Sequence, residues 1–218
     1  MDEDKKELIC ETLWSREYRL GLRTICFESK FRMDRLEVPA ASIRERWPYW
    51  SLAEMMDFAN AFIQKPELTS EDHEILQFLM EAGPELVWAT IAHMLPRYRD
   101  RAAAFDFLLQ HLASGSPHGG NCYQALEKIG DPRAIPVLRQ RYEDFRKRLA
   151  PFEQHGVNSE LSDYQQCCRA LWKLDGSPEY ETALRDLLNH PDEYIRCRAH
   201  YFLFDPPPSD SDPRTRLK

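Results

Sequence analysis

Apolar residues recur at helical intervals over most of this chain, and the breaks between runs carry as much information as the runs. In "ALEKIGDPRAIPVLRQRY", residues 125–142, the series Cys122, Ala125, Leu126, Ile129 steps by three and four and stops at Gly130. A glycine there suits the left-handed position that ends a helix, because it has no Cβ to clash. Asp131 can accept a hydrogen bond from a free amide of the next helix, and Pro132 fits a first turn, where no amide donor is required. The break therefore predicts a tight corner between two helices. Pro136 leaves two options, a helix that starts a few residues late or one that bends where an early hydrogen bond is lost. Beyond it, Ile135, Leu138, Tyr142, Phe145 and Leu149 form one buried stripe.

Upstream, Ser51 with Glu54 and Thr69 with Asp72 have capping-box spacing, which predicts helices at 51–64 and 70–82. Gly83-Pro84 opens another at 84–94, and "RDRAAAFDFLLQHL" supplies its partner at 99–112. Residues 17–38 differ. Their aromatic and β-branched content with partial alternation predicts a two-stranded ribbon turning near Glu28-Ser29-Lys30, with a helix as the alternative. The segment 113–120, within "ASGSPHGGN", reads as a flexible link, and the ending "DPPPSDSDPRTRLK" as a disordered tail.

The corner is used twice. In "CCRALWKLDGSPEYETALRDLL", Ala170-Leu171 matches Ala125-Leu126, and Asp175-Gly176-Ser177-Pro178 matches the break. Ala125 to Ala170 is an offset of 45 residues, within the roughly 40–47 of two-helix solenoid repeats. A third start, "HPDEYIRCRAHYFL", places Ile195, Ala199, Phe202 and Leu203 on one stripe of a helix at 192–204. "ALEKIGDPRAIPVL" and "PDEYIRCRAHYFL" resemble HEAT repeats, in the subclass shared with the phycobilisome bilin lyases. The resemblance covers residues 121–204 well and 84–112 by helical pattern only. It implies an all-α fold, an α-α superhelix of HEAT-like solenoid type. The implied divisions are an extension at 1–48, helical repeats at 49–112, the link, HEAT-like repeats at 121–204, and the tail at 205–218.

Composition changes this picture little. With 43% apolar and 30% charged residues, the chain has an ordinary globular balance that excludes wholesale disorder. No apolar run approaches the roughly 20 residues of a membrane span, and the acidic "MDEDKKELIC" lacks a secretory apolar segment. The expectation is a cytoplasmic protein whose six cysteines are reduced core thiols. Charge is more informative. Residues 48–96 hold eight acidic side chains against the single Lys65, whereas residues 133–148 hold six basic against two acidic. A charged partner is steered to one part of such a chain.

Specific chemistry is sparse. Gly119-Gly120 lacks the Lys-Ser/Thr of a phosphate loop, and there is no Gly-x-Ser-x-Gly elbow. His73-Glu74 resembles the His-Glu pairs with which HEAT-type deoxyhypusine hydroxylases hold two irons. That family uses several pairs and this chain has one, so His73 is read as a solvated side chain. On the helix after Pro136, Arg139 and Arg146 fall along one flank of the stripe, and Arg141 and Arg148 along the other. They either cover the core edge and pair with neighbouring acids, with Glu143–Lys147 and Asp144–Arg148 at pairing distance, or form an anion site. Trp88 and Trp172 are expected in the core. Trp47 and Trp50 are expected to staple the ribbon to the first helix pair.

The function expected is a non-enzymatic protein–protein interaction scaffold or adaptor. Its candidate binding residues are Arg139, Arg146, Tyr201 and Phe204, the last two as part of an apolar surface that a partner, a second copy or the N-terminal segment would cover. No catalytic residue, metal site or cofactor is assigned. The partner is another protein, with a homodimer through the C-terminal helix as a variant of that reading; nucleic acid and membrane are not expected. Two alternatives remain, a HEAT-like nucleic-acid-binding protein or DNA glycosylase, and a chromophore or modification lyase.

Overall fold

The computed structural model describes residues 39–113, 119–152 and 159–204. Every regular element among them is helical and no strand occurs there. The segment 17–38, most of the link and the tail lie outside the described residues. The chain divides into two compact units, 1–125 and 126–218.

In the first unit, α1 (Ala40–Arg46) runs into a 3-10 turn at Trp47–Tyr49. Then come α2 (Leu52–Phe62), α3 (Ser70–Ala82), α4 (Glu85–Ile91), a 3-10 segment at Ala92–Arg97, and α5 (Arg101–Ala113). Both capping boxes form. Ser51 accepts from the Glu54 amide, and Glu54 accepts from the Ser51 amide at 2.9 Å; Thr69 and Asp72 do the same for α3. α2 packs on α4 and α1 on α3, around fully buried Phe58, Phe62, Leu76, Leu79 and Val87. Helix α1 is an addition to the sequence reading. Its signal is the short stripe Ala40, Ile43, Trp47, all buried, and its first amide donates to the Glu71 carboxylate.

The ribbon that Trp47 is expected to staple lies outside the described residues, and Trp47 itself is a core residue. It is 4% exposed, meets Trp50, Phe58 and Phe78 in tilted or edge contacts, and its Nε1 donates to Ala82 O at 3.4 Å. Trp88 and Trp172 depart in the opposite sense, since both are only half-buried. Trp88 lies against His111, ring centroids 4.0 Å apart. His73 is likewise half-buried, not solvated: its Nδ1 accepts from the Arg99 amide at 3.3 Å. Burial, followed by the nearby Arg99, holds its pKa below the usual histidine value.

The boundary between the units falls within α6 (Gly120–Ile129). In the second unit, the corner leads through a 3-10 turn, Pro132–Ala134, into α7 (Ile135–Leu149). There follow α8 (Ser159–Asp175), α9 (Pro178–Asp186), a 3-10 turn at Leu187–Asn189, and α10 (Glu193–Phe204). Gly130 has φ 75° and Gly176 φ 70°, so both corners use the left-handed glycine. Asp131 accepts from the Arg133 amide at 2.9 Å. Pro136 is explained by the late start: the 3-10 turn absorbs the corner and leaves the proline in the first turn of α7, where its missing donor is not needed. α8 packs against α7, α9 and α10. The core is the predicted stripe Leu138, Tyr142, Phe145, Leu149 with Leu161, Tyr164, Leu171, Leu184, Ile195 and Phe202. Cys122, Cys167 and Cys168 are free and buried, as reduced core thiols should be.

Candidate functional site

Two helices of the second unit, α7 and α9, face each other across a cleft of about 440 Å³. The helical repeat dictates what each contributes. On α7, Tyr142 and Arg146 are four residues apart and share a flank; on α9, Glu179, Thr182, Ala183 and Asp186 form one face. Tyr164 of α8 and Phe152 complete an aromatic floor: Tyr142 and Tyr164 stack at 5.7 Å, Phe152 and Tyr164 at 4.7 Å. The far wall is Leu187, Asn189 and His190. His190 is fixed, with Nε2 3.0 Å from Phe152 O and Nδ1 accepting from the Asp192 amide at 3.0 Å.

The two arginines singled out from the spacing do lie on one flank of α7, yet in different company. Arg139 forms two bonds to the Asp175 carboxylate, at 2.9 and 3.1 Å. That pairing, then a contact with Tyr180, raises its pKa. Arg146 lies 3.8 Å from Glu143, with its guanidinium over the Tyr142 ring at 5.6 Å. Only Arg146 of the pair lines the cleft. On the other flank, Arg148 bridges to Glu160 of α8 and lies over Phe145; with Asp144 it bonds the backbone carbonyl, at 3.3 Å. The Asp144 carboxylate instead accepts from Gln140 at 3.0 Å. Arg141 faces inward, towards Asp163, and its Nε is buried without a hydrogen-bond partner.

Tyr201 and Phe204 do not join this cleft. They sit at the end of α10, 42% and 49% exposed. Arg169 approaches the Tyr201 ring at 6.0 Å, and Arg185 the Phe204 ring at 5.7 Å.

The two phenols of the cleft floor are poorly suited to act as nucleophiles. Burial pushes the Tyr142 phenol up to about 12, and pushes Tyr164, its neighbour, far higher. A nucleophile needs its deprotonated form near neutral pH, and this environment withholds it. What the arrangement can do is hold an apolar group on the floor and polar groups at the rim.

Sequence reasoning missed the α9 wall. Glu179, Thr182 and Asp186 look like a solvated face, and the signal that they border a cleft is only that Tyr180 and Leu184 occupy the opposite, buried face. Set against protein-family models, curated proteins and solved structures, the chain matches none of them.

Proposed function

We propose that the protein is a non-enzymatic interaction module, built as a HEAT-like α-α array, whose α7–α9 cleft receives a segment of another protein. The carrying observation is the cleft itself: an aromatic floor with a polar rim, set between two helices of the second unit. Two features support the repeat reading. The left-handed glycines at 130 and 176 close equivalent corners, and each is followed by a proline in the first turn of what comes next. Stacked helix pairs offer a preformed groove, so little ordering is required on binding. The raised pKa values of Tyr142 and Tyr164 on the floor support binding over nucleophilic catalysis by either phenol.

The test is affinity capture from the native host with wild type, Thr182→Trp and Asn189→Trp, with melting temperatures measured in parallel; Asn189 is an exposed lining residue of the cleft. Thr182 is exposed and its hydroxyl bonds only within its own helix, to Pro178 O at 2.9 Å, so tryptophan there fills the cleft from the rim. Loss of the captured protein in both variants, with unchanged melting temperatures, is expected. Undiminished capture by both would sink the reading.

A further inference from the structure

The rim of the cleft is lopsided in charge, and the imbalance defines a ligand class. Glu179 and Asp186 stand seven residues apart on α9, a separation of about 10 Å along the axis. Among the described residues, no ion pair engages either of them; the neighbouring Arg185 is taken by Glu181 at 2.6 Å. Across the cleft, Arg146 is the cation among the described lining residues, and Glu143 stands 3.8 Å from it. Two lining carboxylates therefore face one guanidinium, which Glu143 outside the lining already partners, so Glu179 and Asp186 are left without a cation among the described lining residues.

Arg146 also shows what this surface accommodates. Its guanidinium rests over the Tyr142 ring, beside a carboxylate, an arrangement that combines cation–π attraction with charge pairing. A second cation would find the same chemistry on the α9 side, where the carboxylates border Ala183 and Leu187. The apolar stem of a long basic side chain lies well on such residues while its head stays at the rim.

We propose that the cleft recognises a basic segment of a protein partner, an arginine or lysine side chain passing over Ala183 with its charged head between Glu179 and Asp186. This rests on the cleft being the binding surface. Arginine suits it best, since its planar fork pairs with carboxylates in two-bond fashion. An acidic segment or a nucleic-acid backbone would meet like charge here.

The probe is a fluorescein-labelled peptide of alternating arginine and alanine, titrated with the full chain and followed by anisotropy. Its citrulline isostere and its glutamate counterpart serve as comparisons. The arginine peptide is expected to bind, more weakly as salt rises, with the citrulline peptide about tenfold weaker. The double variant Glu179→Gln/Asp186→Asn should weaken the arginine peptide by about tenfold at unchanged melting temperature. Glu67→Gln/Glu74→Gln, in the acidic stretch of the first unit, should leave it unaffected. Equal binding of the citrulline peptide, or indifference to the Glu179/Asp186 change, overturns the proposal. So does a dimer of the chain that this change splits, since the occupant would then be a second copy. The two levels separate cleanly. If Thr182→Trp abolishes native capture while the Glu179/Asp186 change does nothing, the cleft stands as the surface and the basic ligand falls.

Discussion

Lys65 and Asp72 meet at the N-terminus of α3, with Nζ 2.5 Å from Oδ1. The other carboxylate oxygen accepts from the Thr69 amide at 2.9 Å and hydroxyl at 2.8 Å. One buried acid thus closes a cap and anchors the preceding loop. Burial alone would push its pKa up, but the hydrogen bonds from Lys65 and Thr69 outweigh it and hold the carboxyl below the usual 3.8.

Asp72→Ala is therefore expected to lower stability by about 2 kcal/mol, through loss of the cap and of the partner of a largely buried ammonium. Because the folded pKa is depressed, this contribution is full above the unfolded value and disappears as pH falls through the folded one. Urea midpoints should show the loss at pH 7 and a flatter acid limb in Asp72→Asn. Equal midpoints at pH 7 would mean that the cap contributes nothing.

Asp163 shifts in the opposite sense. It lies on α8 facing Arg141 of α7 and Arg198 of α10, with Glu160 on its own helix. Burial pushes its pKa up to about 7, and the two arginines only partly oppose this. Arg198 meanwhile donates to the Ser162 hydroxyl. The folded state keeps a proton here that the unfolded state loses near 3.8, so stability falls as pH rises between those values, and the full cost is reached above 7. Asp163→Asn should raise the melting temperature at pH 8 and change it little at pH 4. A variant that melts lower than wild type at pH 8 would show that the carboxylate is bound as an ion by its arginines.

At the corners, Gly130→Ala and Gly176→Ala should each cost about 1 kcal/mol. No atom lies within 4 Å of an added Cβ at either position, so the cost is backbone strain alone, from φ of 75° and 70°. Asparagine tolerates the left-handed region better and should lose less at both sites. Denaturant midpoints of the four variants decide this. An alanine variant as stable as wild type would mean that the corner relaxes without penalty.

The corners were legible because each is written in residues with one conformational use: a glycine past the helix end and a proline just inside the next. The two capping boxes were legible for the same reason. α8 was harder to bound from sequence. Its buried face includes Gln165 and Gln166, 0% and 6% exposed, and polar residues on the core side blur a hydrophobic stripe. Gln165 is inside because its amide reaches Ile195 O at 3.0 Å, a contact with a helix 30 residues away that no local pattern encodes. The cleft shares that difficulty. Arg146 stood out by its flank on α7, but Glu179 and Asp186 acquire meaning only when α9 is packed opposite. The burial of Trp47 was not legible because the helix before it, α1, is two turns long, too short for periodicity to stand out.

The end of α10 leaves Tyr201 and Phe204 exposed on the same helix whose Ile195, Ala199 and Phe202 are buried. Large apolar side chains grouped on one helix end more often mark a contact than a solvated surface. Their surroundings suit one: the Arg185 guanidinium lies over the Phe204 ring and the His200 ring is 4.7 Å from it, so a partner would meet a mixed aromatic and cationic patch. Tyr201→Glu and Phe204→Ser should leave the melting temperature nearly unchanged, since about half of each side chain is already in water. The same substitutions should weaken partner capture, or split a dimer if the covering surface is a second copy. Size exclusion with light scattering reads the second outcome, and affinity capture the first. A monomeric wild type whose variants capture as well as it does would show that this end of the helix is not a contact, and would leave the α7–α9 cleft as the binding surface.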